Sequence, residues 1–450
     1  MKKNQLLLLL CTLATLFAQA QSKVFKEVSE EISSQIRVIK QDNALVGYLV
    51  FTQLEKASED SFNYQITIMD ENLNDIGKVK FRDENLNLQA VSFEQDVICL
   101  AYLKSNVIGR RYKNKKDYNN ITASPHHAVV TRFLSLDGKT IATNAEEADI
   151  SISMGDFSYP YVMGKLEQSI QLRNVPQKGF ALFFGDNNNN HLLTYDIAGK
   201  EVWKKNVSRL AKANYLLSSA EGIYLLSKKQ EQKIEGGYEV TGYAFAGSGT
   251  YDKYVLKDKK GNALKVLGFD NDPVSGKPYA TGMIINPERN GLYTLKDLSK
   301  QPYNGVFTIN FNGPKKSEIR ETFSYWENDK TGLLKENGKF AKSDAYSLFD
   351  QGFMDYQGNT YFVGSSVIKK PKWGSIISSV ILSPLIVVSP MILVMGTTKC
   401  KTTDALVLKQ TPDGKLSYDN TIPCNYSSFA PSRAPIVQYG PRKSFYRVTN

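Results

Sequence analysis

Three histidines are present, and two of them, His126 and His127, are adjacent. Neighbouring side chains on an extended chain point apart, so this pair makes a poor metal chelate. The acidic-polar clusters at 70–75 and 270–272 offer oxygen ligands, yet neither has the spacing of a calcium loop, and ordinary turn chemistry accounts for both. The chain has no Gly-x-Ser-x-Gly elbow and no Cys-x-x-Cys pair. A hydrolytic carboxylate pair is not marked by spacing alone. These residues therefore predict no catalytic group, no metal and no cofactor.

Residues suited to recognition are better marked. Arg110, Arg111, Lys113, Lys115 and Lys116 surround Tyr112 and precede Tyr118. Such a loop can grip an acidic polymer or lipid headgroups, or it can simply be solvated. Residues 374–396 carry no charge, and Trp373 and several lysines flank them. The run is long enough for a transmembrane helix, but Pro384 and Pro390 would break one, and the flanking charge is basic on both sides. A kinked apolar hairpin is expected, either entering a membrane leaflet with Trp373 at the headgroups or folding back as a plug on Tyr243-Ala244-Phe245-Ala246. Cys99 sits in the apolar run 97–101 and reads as core. Cys400 and Cys424 flank the hairpin turn at 412–414 within one register step and form a candidate disulfide.

The elements that position these residues repeat. Turns with Asp or Asn before Gly occur near Gly77, Gly138, Gly199, Gly261, Gly313 and Gly414, and the first three steps are 61, 61 and 62 residues. Each turn joins two strand-like runs, with a further apolar run upstream, such as 97–103 or 180–184, and a weaker one before that. Four short antiparallel strands repeated about six times predict an all-β chain, a β-propeller of about six blades with an apolar insertion in the last. A set of β-sandwich domains is the alternative. The Asp-Gly turns are expected to join the third and fourth strands of each blade. Long segments at 105–127, 230–250 and 367–403, and crossings at 144–166 and 324–344, are expected on the opposite face, where binding would reside. Ring closure is expected from residues 444–448 pairing beside residues 36–39.

The N-terminus supplies location. Lys2 and Lys3 precede an apolar run and then Ala18-Gln19-Ala20, the order of a cleavable signal peptide over residues 1–20. Residues 21–450 then form one exported domain, periplasmic or cell-surface. Cleavage removes two lysines and lowers the formal charge from +11 to +9. Export argues against a nucleic-acid partner and leaves an envelope protein or glycan as the expected one.

One turn, Tyr195-Asp196-Ile197-Ala198-Gly199-Lys200-Glu201-Val202-Trp203, looks like the tryptophan-docking turn of quinoprotein propellers, one residue short and in a single copy. The signal peptide ending Ala18-Gln19-Ala20-Gln21 and the Asp-Gly-Lys hairpins join a third feature, Tyr361-Phe362-Val363-Gly364 leading through Lys369-Lys370-Pro371-Lys372-Trp373 to Asp404-Ala405-Leu406-Val407-Leu408. Together these resemble an uncharacterised family of exported, propeller-like proteins of Bacteroidota. That resemblance implies location and architecture and no catalytic residues. The expected function is a non-enzymatic binding or interaction module of the cell envelope; the alternative is an enzyme acting on glycan or another polymer in a central funnel.

Overall fold

The computed structural model describes residues 33–41, 44–58, 61–156, 158–207, 209, 211–229, 236–246, 250–287, 303–313, 316–329, 331–332, 334–341, 345–371, 398–423, 436–439 and 445–448. The signal peptide, Trp373, the run 374–396 and Cys424 lie outside these residues. The chain divides into two compact units, residues 1–207 and 208–450.

The first unit holds three four-stranded antiparallel meanders. The first sheet is β1 (Ser33–Gln41), β2 (Ala44–Lys56), β3 (Phe62–Asp70) and β4 (Asp75–Asp83). The second is β5 (Asn85–Glu94), β6 (Val97–Ser105), β7 (His127–Ser135) and β8 (Thr140–Glu147). A small hairpin, β9 (Ile152–Met154) and β10 (Val162–Gly164), precedes the third sheet: β11 (Gln168–Val175), β12 (Gly179–Gly185), β13 (Asn190–Asp196) and β14 (Glu201–Val207). The second unit repeats the pattern three times. Its sheets are β15 (Ala211–Ser218) to β18 (Thr250–Val255), β19 (Leu264–Asn271) to β22 (Ile319–Tyr325), and β23 (Tyr346–Met354) to β26 (Leu416–Pro423).

Within each unit the sheets pack face to face, and the alternation of strand side chains decides which core each residue joins. Ile98, Leu100 and Tyr102 of β6 enter the cluster shared with the first sheet, around Leu49, Tyr64 and Ile66. Val97, Cys99 and Ala101 of the same strand enter the cluster shared with the third, around Phe180, Leu182 and Tyr195. Both faces are buried, so β6 reads as an unbroken apolar run. Cys99 is a fully buried free thiol, pushed up by burial. In the second unit β21 (Tyr303–Phe311) divides likewise, Phe307 and Ile309 facing one cluster and Val306 the other.

One five-residue turn recurs, in which the first N–H bonds to the fifth carbonyl and the fourth N–H to the first carbonyl. It occurs at 70–74, 135–139, 196–200, 258–262, 335–339, 355–359 and 411–415. The fourth residue has a left-handed φ, and it is Gly in all of these but the first, where Leu73 has φ 64°. Asp70, Asp258 and Asp355 each accept from the side-chain amide of Asn74, Asn262 or Asn359. The acidic cluster at 70–75 is therefore a turn.

Several expectations are corrected. The turn placed on Asp75 to Lys78 lies at 70–74, and Gly77 is inside β4. Gly77 answers a different demand, since a Cβ there would come within 2.2 Å of the Leu136 carbonyl oxygen, where the 135–139 turn crosses it. The Asp258 turn joins β18 to β19, two sheets, instead of two strands of one sheet. Segment 230–250 consequently contains a strand, β17 (Tyr238–Tyr243). The fifth sheet's middle connection is a further long segment, residues 286–302 between β20 (Pro278–Ile285) and β21. At the C-terminus β28 (Phe445–Val448) pairs with β27 (Ile436–Tyr439) in a two-stranded sheet.

The ladder between β24 (Thr360–Pro371) and β25 (Thr398–Gln410) runs out to Pro371 opposite Thr398. The chain thus enters and leaves the intervening segment at adjacent points. Cys400 stands opposite Lys369 in that ladder, and Cys424, its candidate disulfide partner, lies outside the described residues.

Candidate functional site

The first unit contains a cleft of about 320 Å³, lined by residues of its first two sheets and of the 144–166 crossing. Register places the walls. Ser33 pairs with Gln53 and Gln35 with Phe51, so these four side chains share one face of the β1–β2 pair. Asn85 pairs with Ser105 and Asn87 with Leu103, so they share one face of β5–β6. All eight line the cleft. The crossing from β4 to β5 is pinned by Tyr64, whose hydroxyl donates to the Glu84 carbonyl and accepts from Leu86 N–H, each at 2.9 Å. Burial pushes that phenol up to about 12. Lys104 reaches Asp83 at 2.7 Å, and Arg132, mostly buried, lies 3.5 Å over the Phe81 ring and 3.7 Å from Asp83. These contacts bridge the two sheets beside the cleft.

The roof comes from the segments expected to be long loops. Residues 105–127 leave β6 and return at β7 with the bounds that the sequence predicts, and they contain one helical turn, α1 (Lys115–Ile121), capped by Asn114 accepting from Asp117 N–H at 3.0 Å. Ser105 Oγ accepts from the N–H groups of Val107 and Ile108 and lies 3.0 Å from His127 Nδ1. Burial, and then the neighbouring His126, hold the His127 imidazole below its ordinary value. The crossing 144–166 folds into the β9–β10 hairpin, and the chain at 109–112 lies along it. Gly109 N–H donates to the Val162 carbonyl at 2.8 Å, Val162 N–H to the Arg110 carbonyl at 2.9 Å and Tyr112 N–H to the Pro160 carbonyl at 3.1 Å. Asn85 Nδ2 donates to the Ile108 carbonyl at 2.9 Å, tying this roof to the wall. Tyr159 and Tyr161 line the cleft from the hairpin, their ring centroids 4.5 Å apart and tilted by 38°.

The candidate residues separate accordingly. Tyr112 is buried with Val107 and Val162, stacks edge-on to Tyr118 at 5.4 Å and donates to the Gly155 carbonyl at 2.9 Å. It anchors the loop, packing in one cluster with Val107, Ile108, Tyr118 and Ile121 of the same insertion. Arg111, Lys113, Lys115 and Lys116 are exposed, and Arg110 is half-buried. Tyr243 and Phe245 are buried as well, at the end of β17 away from its junction with β16 (Ile223–Lys229), and burial pushes the Tyr243 phenol up to about 12. The apolar insertion leaves its sheet at the middle connection, the other end of a meander from Tyr243. The cleft residues Gln35, Gln53, Asn85, Asn87, Tyr159 and Tyr161 carry no sequence motif; the only signal toward them is that Tyr159 and Tyr161 lie in the long crossing.

A second polar group surrounds the β12–β13 turn. Burial works against the Asp186 carboxylate, but N–H donation from Asn189 and Asn188, with the His191 ring at 3.1 Å, holds it below the usual range. Asn187 and Asn188 donate to Asp149, fastening this turn to the crossing. Among the described residues, no group of three or more His, Cys, Asp or Glu side chains is disposed to hold a metal ion, and no helix is long and apolar enough to cross a membrane.

A protein of unknown function from Bacteroides caccae is similar over 84% of this chain and 94% of its own, at 11% identity and TM-score 0.28. The WD40 domain of SCAP from fission yeast covers 88% and 91% at 9% identity and TM-score 0.27. A eukaryotic initiation factor covers 89% and 90% at 8% identity and TM-score 0.34. No curated protein matches the sequence. Residues 1–432 match the family of unknown function DUF6770, and the chain belongs to that family.

Proposed function

We propose that this chain is an exported, non-enzymatic binding module of the cell envelope, that its six meanders close as propeller blades, and that the cleft of the first unit receives the ligand. The lining of the cleft carries this reading. The two sheets contribute amides and hydroxyls, and the hairpin contributes two tyrosines, groups that hold a ligand reversibly. The enzymatic alternative calls for convergent carboxylates, whereas these walls present Gln35, Gln53, Asn85 and Asn87.

A membrane contact through residues 374–396 is part of the proposal. Its support is the β24–β25 ladder, which brings the two ends of the segment together and suits a hairpin entering one leaflet better than a single span. Co-sedimentation of the full chain with isolated envelope tests the binding reading: saturable binding weakened by Tyr159→Ala and Asn87→Ala is expected, and binding indifferent to both overturns it. Replacing 374–396 by a short Gly-Ser linker should lower the membrane-bound fraction of a still-folded protein, and an unchanged fraction removes the leaflet contact.

A further inference from the structure

We infer that the cleft lined by the first two sheets and the β9–β10 hairpin is a subsite for a neutral saccharide, an assignment that rests on the binding reading above. Four amide side chains line it, Gln35 and Gln53 from one sheet and Asn85 and Asn87 from the other. An amide offers a donor and an acceptor side by side, the pattern that vicinal hydroxyls reciprocate. An apolar ligand would strip water from these amides without replacing it. A phosphate or carboxylate would call for a cationic donor, yet the lining residues are all uncharged, and the guanidinium beside them, Arg37, already donates to Gln35 Oε1 at 3.2 Å.

The aromatic component completes the match. A sugar ring has polar edges and apolar C–H faces, and a tyrosine ring beside amides meets both demands. Tyr159 is 54% exposed and packs against Tyr161, so its ring stands ready without belonging to the core. Its backbone is held separately, its N–H donating to the Asp156 carboxylate at 2.8 Å. The volume of about 320 Å³ suits one or two sugar units, at the small end of ligand clefts.

Saturation-transfer NMR on the full chain provides the test, with glucose, galactose, mannose, N-acetylglucosamine, cellobiose and lactose as probes and glucuronate and inorganic phosphate as charged controls. At least one neutral sugar should receive saturation at its C–H protons, and its Kd should weaken about tenfold in Tyr159→Ala and in Asn87→Ala, the loss of one stacking or bidentate contact. Thermal melts of both variants should match the parent, since both side chains are exposed. Silence from every neutral sugar, indifference to both substitutions, or preferential binding of glucuronate or phosphate overturns the assignment. If the sugars are silent while envelope binding still depends on Tyr159 and Asn87, the saccharide class falls and the binding reading stands. If envelope binding is indifferent too, both fall.

Discussion

Gly261 and Gly338 occupy the same position of the same five-residue turn in the second unit, with φ +84° and +71°. The closing bonds also match: Asp258 N–H to the Asn262 carbonyl at 2.9 Å in one, Lys335 N–H to the Lys339 carbonyl at 2.8 Å in the other. Their surroundings differ. A Cβ at 261 would meet nothing within 4 Å, whereas one at 338 would come within 2.9 Å of Trp326 Nε1 and 3.0 Å of Cδ1. Trp326 is 3% exposed and donates to the Tyr303 carbonyl at 3.0 Å, so its ring cannot move aside cheaply. Gly261→Ala carries the left-handed strain of roughly 1–2 kcal/mol, partly offset by roughly 0.4–1 kcal/mol of lost unfolded-state entropy, for a net cost of about 1 kcal/mol. Gly338→Ala adds the collision, about 1–3 kcal/mol for an overpacked site, and endangers a hydrogen bond of about 1 kcal/mol. The second variant should therefore be less stable than the first by about 2–3 kcal/mol, a Tm lower by about 5–10 °C. Thermal melts followed by tryptophan fluorescence read the difference directly, since Trp326 reports from the site. Equal melting temperatures, or a lower one for Gly261→Ala, would refute the claim that the tryptophan contact, and not the turn, sets the cost.

Other outcomes follow from the same geometry. Leu73→Gly should raise stability by about 0.5–1 kcal/mol in urea titrations, relief of left-handed strain exceeding the added chain entropy; a loss would mean that the half-buried leucine packs better than its turn suggests. Because the His127 ring has a lowered folded pKa, the unfolded chain binds the extra proton, so stability is full above the unfolded value of 6.5 and declines as the pH falls below it. Melts at pH 7.5 and 5.5 should show that decline and show it reduced in His127→Asn; equal declines would place the acid sensitivity elsewhere. Gln410 is buried, with Oε1 2.7 Å from Thr308 Oγ1 and Nε2 2.7 Å from Ser324 Oγ, so Gln410→Leu should cost about 2 kcal/mol by denaturant midpoint, and a neutral result would show the network contributes nothing net.

The strands were legible where both faces are buried or where a Gly turn separates two apolar runs, as at β6, β7 and the 135–139 turn. They were hidden where polar residues surround a short strand: Tyr238–Tyr243 follows a charged stretch and two glycines, and so read as loop. Leu73 concealed a turn because nothing in its side chain announces a left-handed backbone, and Gly77 nearby supplied a false signal. The basic loop is marked by its charge, and its bounds match the ends of β6 and β7, but sequence cannot say which aromatic of a loop turns inward, as Tyr112 does. The cleft was invisible for a deeper reason. Its amides sit on β1, β2 and β5, brought together by ladder register and sheet packing, neither of which leaves a trace in local composition.

Every strand of the six four-stranded sheets pairs only with the strands adjacent to it in sequence. A chain emerging from the ribosome can therefore finish each sheet before the next has appeared, since no ladder waits for a distant segment. Its longest reach within a ladder is from Pro371 to Thr398, across the apolar insertion. Loop closure costs grow only slowly with length, so that junction can absorb a large insertion, or lose one, without rewiring its neighbours. Damage should be confined in the same way: a sheet that fails exposes the faces of the sheets packed on it, and leaves the ladders of the rest intact. Such an architecture lets surface segments such as 105–127 and 144–166 change over time while the frame that presents them persists.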